Sequence, residues 1–255
     1  MENYYDVKGL TAIITGGGNG IGKESALILA KSGANVVISD LDLDAAELVV
    51  KEALSFGIKA IAVKCDVTNE GDLENLVNVT VEKMGTVNIL INNAGGGGGG
   101  REKFLELSLP YIQKIFMLNV FSIYKLSQLC APHMIKSNYG SIINISSMAG
   151  QMATHNMSVY GSSKAAVNQL TKYMAVDLGP IIRVNAIAPG AIKTNALMSV
   201  LTPEIETKML SKTPLKKLGE TEDIGMGVLY LASPMSKWIT GQLLPINGGG
   251  EQELD

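Results

Sequence analysis

Three residues in the second half of the chain have types and a spacing suited to proton transfer. Tyr160 and Lys164 are four positions apart, and Ser147 lies thirteen residues before Tyr160. In a helix the i, i+4 spacing places the phenol and the amine on one face. A phenol has a pKa of about 10, and a nearby ammonium group lowers it. We therefore expect the pair to exchange a proton with an alcohol or carbonyl whose oxygen the Ser147 hydroxyl binds, although a Tyr–Lys pair alone also suits an amphipathic helix surface.

A glycine-rich segment near the N-terminus is typical of a phosphate-binding turn. It runs Thr15-Gly16-Gly17-Gly18-Asn19-Gly20-Ile21-Gly22, between an apolar run and a helical stretch. Glycines permit a tight turn and close approach of backbone to a pyrophosphate, which the helix N-terminus attracts. We predict that Gly16, Asn19, Gly20, Ile21 and Gly22 bind a dinucleotide, because an isolated glycine motif could be an ordinary turn but this one has the expected strand and helix around it.

Asp40 follows the second apolar run, 18 residues beyond Gly22. A carboxylate at this place accepts hydrogen bonds from the adenosine ribose hydroxyls and repels a 2′-phosphate. Leu41 follows it, so no basic residue stands next to it to hold such a phosphate. The sequence therefore predicts NAD rather than NADP as the cofactor.

Two further segments follow apolar runs. Asp66 and Val67 come after the third run and are predicted to contact the cofactor, although Asp66 could equally be a turn or N-cap residue. Asn93 lies in the Asn92–Gly95 segment and is predicted to line the cofactor cleft. The six glycines of Gly95–Gly100 form either a rim over the site or a solvated loop.

The elements that must position these residues are short apolar strands alternating with amphipathic helices. Strands are predicted at 11–15, 35–39, 60–65, 87–92, 141–146, 182–188 and 243–247, and helices at 21–31, 44–54 and 73–83. This alternation predicts an α/β, single-domain, doubly wound (Rossmann-like) parallel sheet of about seven strands with helices on both faces. Ligands of such sheets bind outside the carboxyl ends of the strands, where the residues named above occur.

The composition of the chain excludes several other classes. Its 255 residues are 46% hydrophobic and 18% charged, with a net charge of −3. These values disfavour disorder and a nucleic-acid partner, and the longest apolar runs are too short to cross a membrane. Two cysteines and two separated histidines, His133 and His155, predict neither a disulfide framework nor a metal site, and they suit a cytoplasmic protein.

The motifs in this order resemble the short-chain dehydrogenase/reductase family over essentially the whole chain. The resemblance implies that Tyr160 is the catalytic acid–base and that Ser147 orients the substrate oxygen. It implies that Lys164, besides acting on Tyr160, holds the nicotinamide ribose, and that Asn119 supports a water-linked proton relay. It also implies further cofactor contacts from Pro189, Gly190, Ile192 and Thr194, and a homotetramer assembled through long helices at about 107–136 and 158–178.

Longer segments, among them ITGGGNGIGKE and IAPGAIKTNALMSVLTPEIE, resemble members of the family that act on steroids. This resemblance implies a bile acid as the small-molecule substrate, oxidised at its 7α-hydroxyl. Apolar residues within 197–210 suit a flat hydrophobic substrate, and we expect a substrate-binding lid at about 191–215, although two short helices simply packing there would give the same pattern. The alternatives are another apolar or sugar-like secondary alcohol or ketone as substrate, and a non-catalytic NAD-binding regulator.

Overall fold

The computed structural model describes residues 5–97, 103–153 and 155–250. Within them, the predicted strands form one seven-stranded parallel sheet. The strands are β1 Thr11–Thr15, β2 Asn35–Asp40, β3 Ala60–Lys64, β4 Ile89–Asn92, β5 Gly140–Ile145, β6 Ile182–Pro189 and β7 Leu243–Ile246. The predicted fold class is therefore confirmed, and the strand ends differ from the predicted ones by at most two residues.

The helices begin and end at residues whose chemistry suits helix termini. They are α1 Gly20–Lys31, α2 Leu43–Leu54, α3 Glu70–Met84, α4 Leu109–Phe116, α5 Ser122–Lys136, α6 Ser158–Leu178, α7 Asn195–Met198, α8 Pro203–Ser211 and α9 Thr221–Ala232. Asp42 and Asn69 cap α2 and α3 by accepting hydrogen bonds from the amides of Ala45 and Asp72. Gly85 ends α3 with a φ of 88°, a left-handed conformation that glycine adopts without strain.

The strand order places the ligand cleft. The sheet runs β3-β2-β1-β4-β5-β6-β7, so the order reverses between β1 and β4. The loops that leave these two strands diverge to opposite faces, which opens a crevice at the carboxyl edge of the sheet. The glycine loop follows β1, and the Asn93–Gly97 segment follows β4.

The central strands of the sheet are buried between two layers of helices, whereas the edge strands β3 and β7 are only partly buried. On one face Ile14 packs in a cluster with residues of α1, α2 and α9, such as Leu29 and Val228. On the other face the neighbouring Ile13 packs with residues of α3, α5 and α6, such as Leu126. This two-sided burial explains why the strands read as continuous apolar runs.

The long helix predicted at about 107–136 is divided into three parts. Ser108 caps α4, whose second residue is Pro110, so the helix starts at Leu109. A π-helical segment, Met117–Phe121, then separates α4 from α5 and contains Asn119. Such segments are frequent at functional sites because they re-aim a side chain. The second long helix matches its prediction, at Ser158–Leu178.

Candidate active site

The glycine loop has a backbone that larger residues would not tolerate. Gly16 and Gly20 have φ values of 61° and 54°. A Cβ atom on Gly22 would lie 2.1 Å from the carbonyl oxygen of Gly16, so the first turn of α1 packs directly on the loop. Asn19, the N-cap residue of α1, makes no side-chain capping hydrogen bond. The predicted residues thus form a tight cradle at a helix N-terminus.

Asp40 is held beside this loop. Its carboxylate accepts hydrogen bonds from the backbone amides of Gly18, at 2.8 Å, and Asp42, at 3.1 Å. A carboxylate can accept about four hydrogen bonds, so capacity remains for two ribose hydroxyls. Selection of the cofactor by Asp40 stays a prediction.

Asn93 joins the two loops at the switch point. Its side-chain nitrogen donates to the carbonyl oxygens of Thr15 and Gly16, each at 2.9 Å. The residue also lines the cavity described below. Its amide group therefore fixes the glycine loop against the end of β4.

Asp66 adopts the turn arrangement that the sequence left open. Its Oδ1 accepts from the backbone amide of Thr68, at 2.9 Å, and from the Thr68 hydroxyl, at 2.7 Å. Val67 is buried in the core cluster beside α3. A cofactor contact from either residue stays a prediction.

Asn119 clamps the segment that follows β4. Its Oδ1 accepts from the Gly96 amide, and its Nδ2 donates to the Gly96 carbonyl, both at 2.9 Å. The same Nδ2 donates to the hydroxyl of Ser163, at 2.9 Å. The clamp holds this segment against the proton-transfer residues, because a Cβ on Gly95 would lie 3.2 Å from Lys164 Nζ and one on Gly97 would lie 3.2 Å from the Tyr160 ring. Gly95–Gly97 is therefore a packed wall of the site; residues 98–100 of the glycine run lie outside the described residues.

Tyr160, Lys164 and Ser147 meet on the wall of one cavity of about 450 Å³. Lys164 is buried, donates to the carbonyl oxygen of Ile145 at 2.8 Å and lies 5.8 Å from the centre of the Tyr160 ring. The other predicted residues that line the cavity are Ile21, Asn93, Pro189, Gly190, Ile192 and Thr194. The structure thus brings together residues from the loops after β1, β4, β5 and β6.

The pKa values of Tyr160 and Lys164 correct the expectation that the phenol pKa is lowered. Burial raises the pKa of the Tyr160 hydroxyl, while its hydrogen bond with Ser147 lowers it to a smaller extent. Burial also lowers the pKa of Lys164 to about 8. Burial, and not the expected ammonium group, therefore sets the direction of the phenol pKa, and the amine donates to a backbone carbonyl instead.

The segment after β6 closes the cavity from the other side. Gly190 donates its amide to the carbonyl of Ile246, and the buried Ile192 forms a bridge with Gly219. Thr194 caps α7 by accepting from the Leu197 amide. A Cβ on Gly20 would lie 3.6 Å from Thr194, so this segment reaches the glycine loop.

Sequence reasoning missed the residues that fix the site from behind. The Ser146 hydroxyl bonds Asn168, whose Nδ2 donates to the Gly150 carbonyl at 3.2 Å. These bonds tie the Ser147 loop to α6, which carries Tyr160. No sequence signal identifies them, because the partners are 18 to 22 positions apart and of common types.

The described part of the chain has no metal-binding cluster and no membrane-spanning helix. No group of three or more His, Cys, Asp or Glu residues there could hold a metal ion. No helix there combines the length and the apolar character needed to cross a membrane.

A nucleotide cradle and a buried Tyr–Lys pair on one parallel sheet define a class of oxidoreductases, and the chain belongs to the short-chain dehydrogenase/reductase family. A family model described as enoyl-(acyl carrier protein) reductase matches residues 16–251. The chain is 50% identical over 248 residues to 7α-hydroxysteroid dehydrogenase of Escherichia coli K12, covering 97% of this chain and 96% of that protein.

Solved structures and more distant relatives agree with this placement. A 7α-hydroxysteroid dehydrogenase complexed with NADH and 7-oxo glycochenodeoxycholic acid superposes with a TM-score of 0.96, at 49% identity and full coverage of both chains. A 3-oxoacyl-[acyl-carrier-protein] reductase of Thermotoga maritima is 34% identical over 245 residues, covering 95% of this chain and 98% of that protein. The family thus includes relatives with different substrates.

Proposed function

We propose that this chain is an NAD-dependent oxidoreductase that removes a hydride from the 7α-hydroxyl-bearing carbon of a bile acid, giving the 7-oxo product. The observation that carries the proposal is the meeting of Ser147, Tyr160 and Lys164 on the wall of a cavity that is otherwise largely apolar. The 50% identity to a 7α-hydroxysteroid dehydrogenase supports the same substrate. A non-catalytic regulator is disfavoured, because it would need no assembled proton-transfer group.

The residues of the glycine loop fit NAD. A Cβ on Gly22 would lie only 2.1 Å from the Gly16 carbonyl oxygen, and Gly16 and Gly20 have left-handed conformations. The loop therefore presents backbone rather than side chains to the cofactor cleft. Asp40 would bind the adenosine ribose and disfavour a 2′-phosphate. When bound, the nicotinamide ring accepts the hydride.

Residues of this chain orient the substrate hydroxyl and accept its proton. The Ser147 hydroxyl and the ionised oxygen of Tyr160 bind the substrate hydroxyl, and Tyr160 accepts its proton as the carbonyl forms. Because burial raises the pKa of Tyr160, the ionised form is scarce at neutral pH, and its fraction grows as the pH rises. Asn119 acts as the clamp on Gly96 described above and, as the family resemblance implies, supports a water-linked relay.

We also propose that residues 191–215 are the substrate lid of a single domain spanning 1–255. Ala191 and Met209 belong to a small apolar cluster of their own, separate from the two clusters that flank the sheet. Leu197 and Met209 from this segment line the cavity, which supports closure of the segment over the flat apolar ring system of a steroid. Homotetrameric assembly and a cytoplasmic location stay predictions.

The experiment that tests the proposal compares bile acids that differ in the positions of their hydroxyls, with NADH absorbance as the readout. We expect turnover with chenodeoxycholic acid, which carries 3α- and 7α-hydroxyls. Deoxycholic acid, with 3α- and 12α-hydroxyls, is the matched control and should give none. Turnover of both, or of neither, would contradict the 7α assignment, and NADH formation from small secondary alcohols alone would favour the alternative substrate class.

A further inference from the structure

Met148, directly after Ser147, has a thioether that accepts two hydrogen bonds. Nδ2 of Asn247 lies 3.4 Å from the sulfur, and Nε2 of Gln151 lies 3.7 Å from it. Met148 also lines the cavity that holds Ser147 and Tyr160. A thioether is a weak acceptor at the end of a flexible side chain, so two amide donors at one sulfur restrict its torsion angles.

Asn247 is itself fixed by the glycine turn at the end of the sheet. Its Oδ1 accepts from the Gly249 amide, and its Nδ2 donates to the Gly250 carbonyl, both at 3.0 Å. One N–H of the side-chain amide therefore serves the turn and the other serves Met148. The two partners are 99 positions apart, so this contact joins the C-terminal end of the sheet to the wall of the cavity.

The same turn also contacts the lid segment. The Leu215 amide donates to the Gly248 carbonyl at 3.2 Å, and a Cβ on Gly250 would lie 2.7 Å from the Thr213 hydroxyl. That hydroxyl donates to the carbonyl of Met209, which lines the cavity from the lid. The glycine turn thus supports two methionines of the cavity wall.

We propose that Asn247 is a positioning residue for substrate selection, which holds the Met148 side chain in the cavity wall against the apolar face of the steroid. The inference rests on the proposed function. A side chain already held in place loses less conformational freedom when substrate binds, so the contact favours binding and leaves the proton-transfer step unchanged. Asn247 touches no reacting atom and acts through Met148.

The test is a double-mutant cycle with Asn247→Asp, Met148→Leu and both together. Aspartate keeps the acceptor for Gly249 but loses the donors to the sulfur and to the Gly250 carbonyl. Leucine removes the acceptor for both Asn247 and Gln151 at similar volume. Each single variant should raise KM for chenodeoxycholic acid about three- to tenfold, with kcat and KM for NAD unchanged. The double variant should lose less than the sum of the two single effects, because the contact between Asn247 and Met148 is lost in all three variants but counted twice in the sum. Gln242→Glu, near the start of β7, makes the same change of charge and should leave all constants unchanged.

The outcomes separate this inference from the proposed function. Three results would overturn the role of Asn247. They are a wild-type KM in either single variant, additive effects in the cycle, and an equal rise in the KM for NAD. If the new negative charge alone raises the KM, the effect of Asn247→Asp will add in full to that of Met148→Leu. The cycle is then additive, which overturns the role of Asn247. If Asn247→Asp fails to fold, the KM of Met148→Leu decides. No turnover of 7α-hydroxyl substrates by the wild-type protein would overturn the proposed function, and this inference with it.

Discussion

Tyr160 carries the proposed chemistry, and removing one oxygen atom tests it. Tyr160→Phe keeps the ring that packs on Gly97, so the fold and NAD binding should survive. Turnover should fall by about 10²–10⁴-fold, the usual contribution of a general acid–base group. Steady-state kinetics with a parallel measurement of NAD affinity checks this. Near-native turnover would mean that another residue moves the proton.

Lys164 predicts a dependence of stability on pH. Its pKa is lowered from 10.5 to about 8 in the folded state, so between these values the unfolded chain binds more protons than the folded chain. The free energy of unfolding should therefore rise with pH over this window, and the contribution is lost as the pH falls through 8. Relative to Lys164→Met, the wild-type protein should gain roughly 1–3 kcal/mol between pH 7 and 10.

Urea unfolding of both proteins at one protein concentration measures this difference. Both proteins carry the same tyrosines, so the titration of these groups near pH 10 cancels to first order in the difference between them. A difference between the two proteins that stays constant, or that falls with pH, would contradict a buried amine of lowered pKa.

At the scale of elements, the junction of β1 and α1 tests the cofactor cradle. Gly22→Ala places a Cβ 2.1 Å from the Gly16 carbonyl oxygen, so the loop must shift. We expect NAD affinity to fall by at least about tenfold. Gly71→Ala is the matched control in the first turn of α3, where a Cβ would meet nothing closer than 3.3 Å. Calorimetric NAD binding that is equal in both variants would contradict the assignment of the loop.

The elements also show what sequence can predict. The central strands were predictable because they are buried on both faces, which requires an unbroken apolar run such as Ala12-Ile13-Ile14. The meeting of Ser147 with Tyr160 followed from their places after β5 and at the start of the next helix. The clamp of Asn119 on Gly96 was not predictable, because the π-helical turn that aims the side chain has no periodic signature. The direction of the Tyr160 pKa was predicted wrongly, since burial cannot be weighed against a neighbouring charge without coordinates.

At the scale of the whole molecule, the exposed helix faces bear on assembly. Exposed apolar or aromatic residues on these faces include Phe121 at the end of the π-helical segment, Tyr124 on α5, and Tyr173 and Val176 on α6. We predict a homotetramer, as the family resemblance implies, so light scattering should give about four times the chain mass of 27.0 kDa. Val176→Lys should lower that mass by charging the face of α6. A mass near 27.0 kDa for the wild-type protein at micromolar concentration would refute the prediction.

The most direct test of the account compares two epimers, chenodeoxycholic acid and ursodeoxycholic acid, which differ only in the configuration at carbon 7. With the substrate oxygen held by Ser147 and Tyr160, the hydrogen on carbon 7 faces the nicotinamide position in one epimer and points away in the other. Misplacement of a reacting atom costs about 10²-fold or more, so kcat/KM with NAD should favour the 7α epimer by at least that factor. Equal values for the two epimers would contradict the proposed geometry of the site.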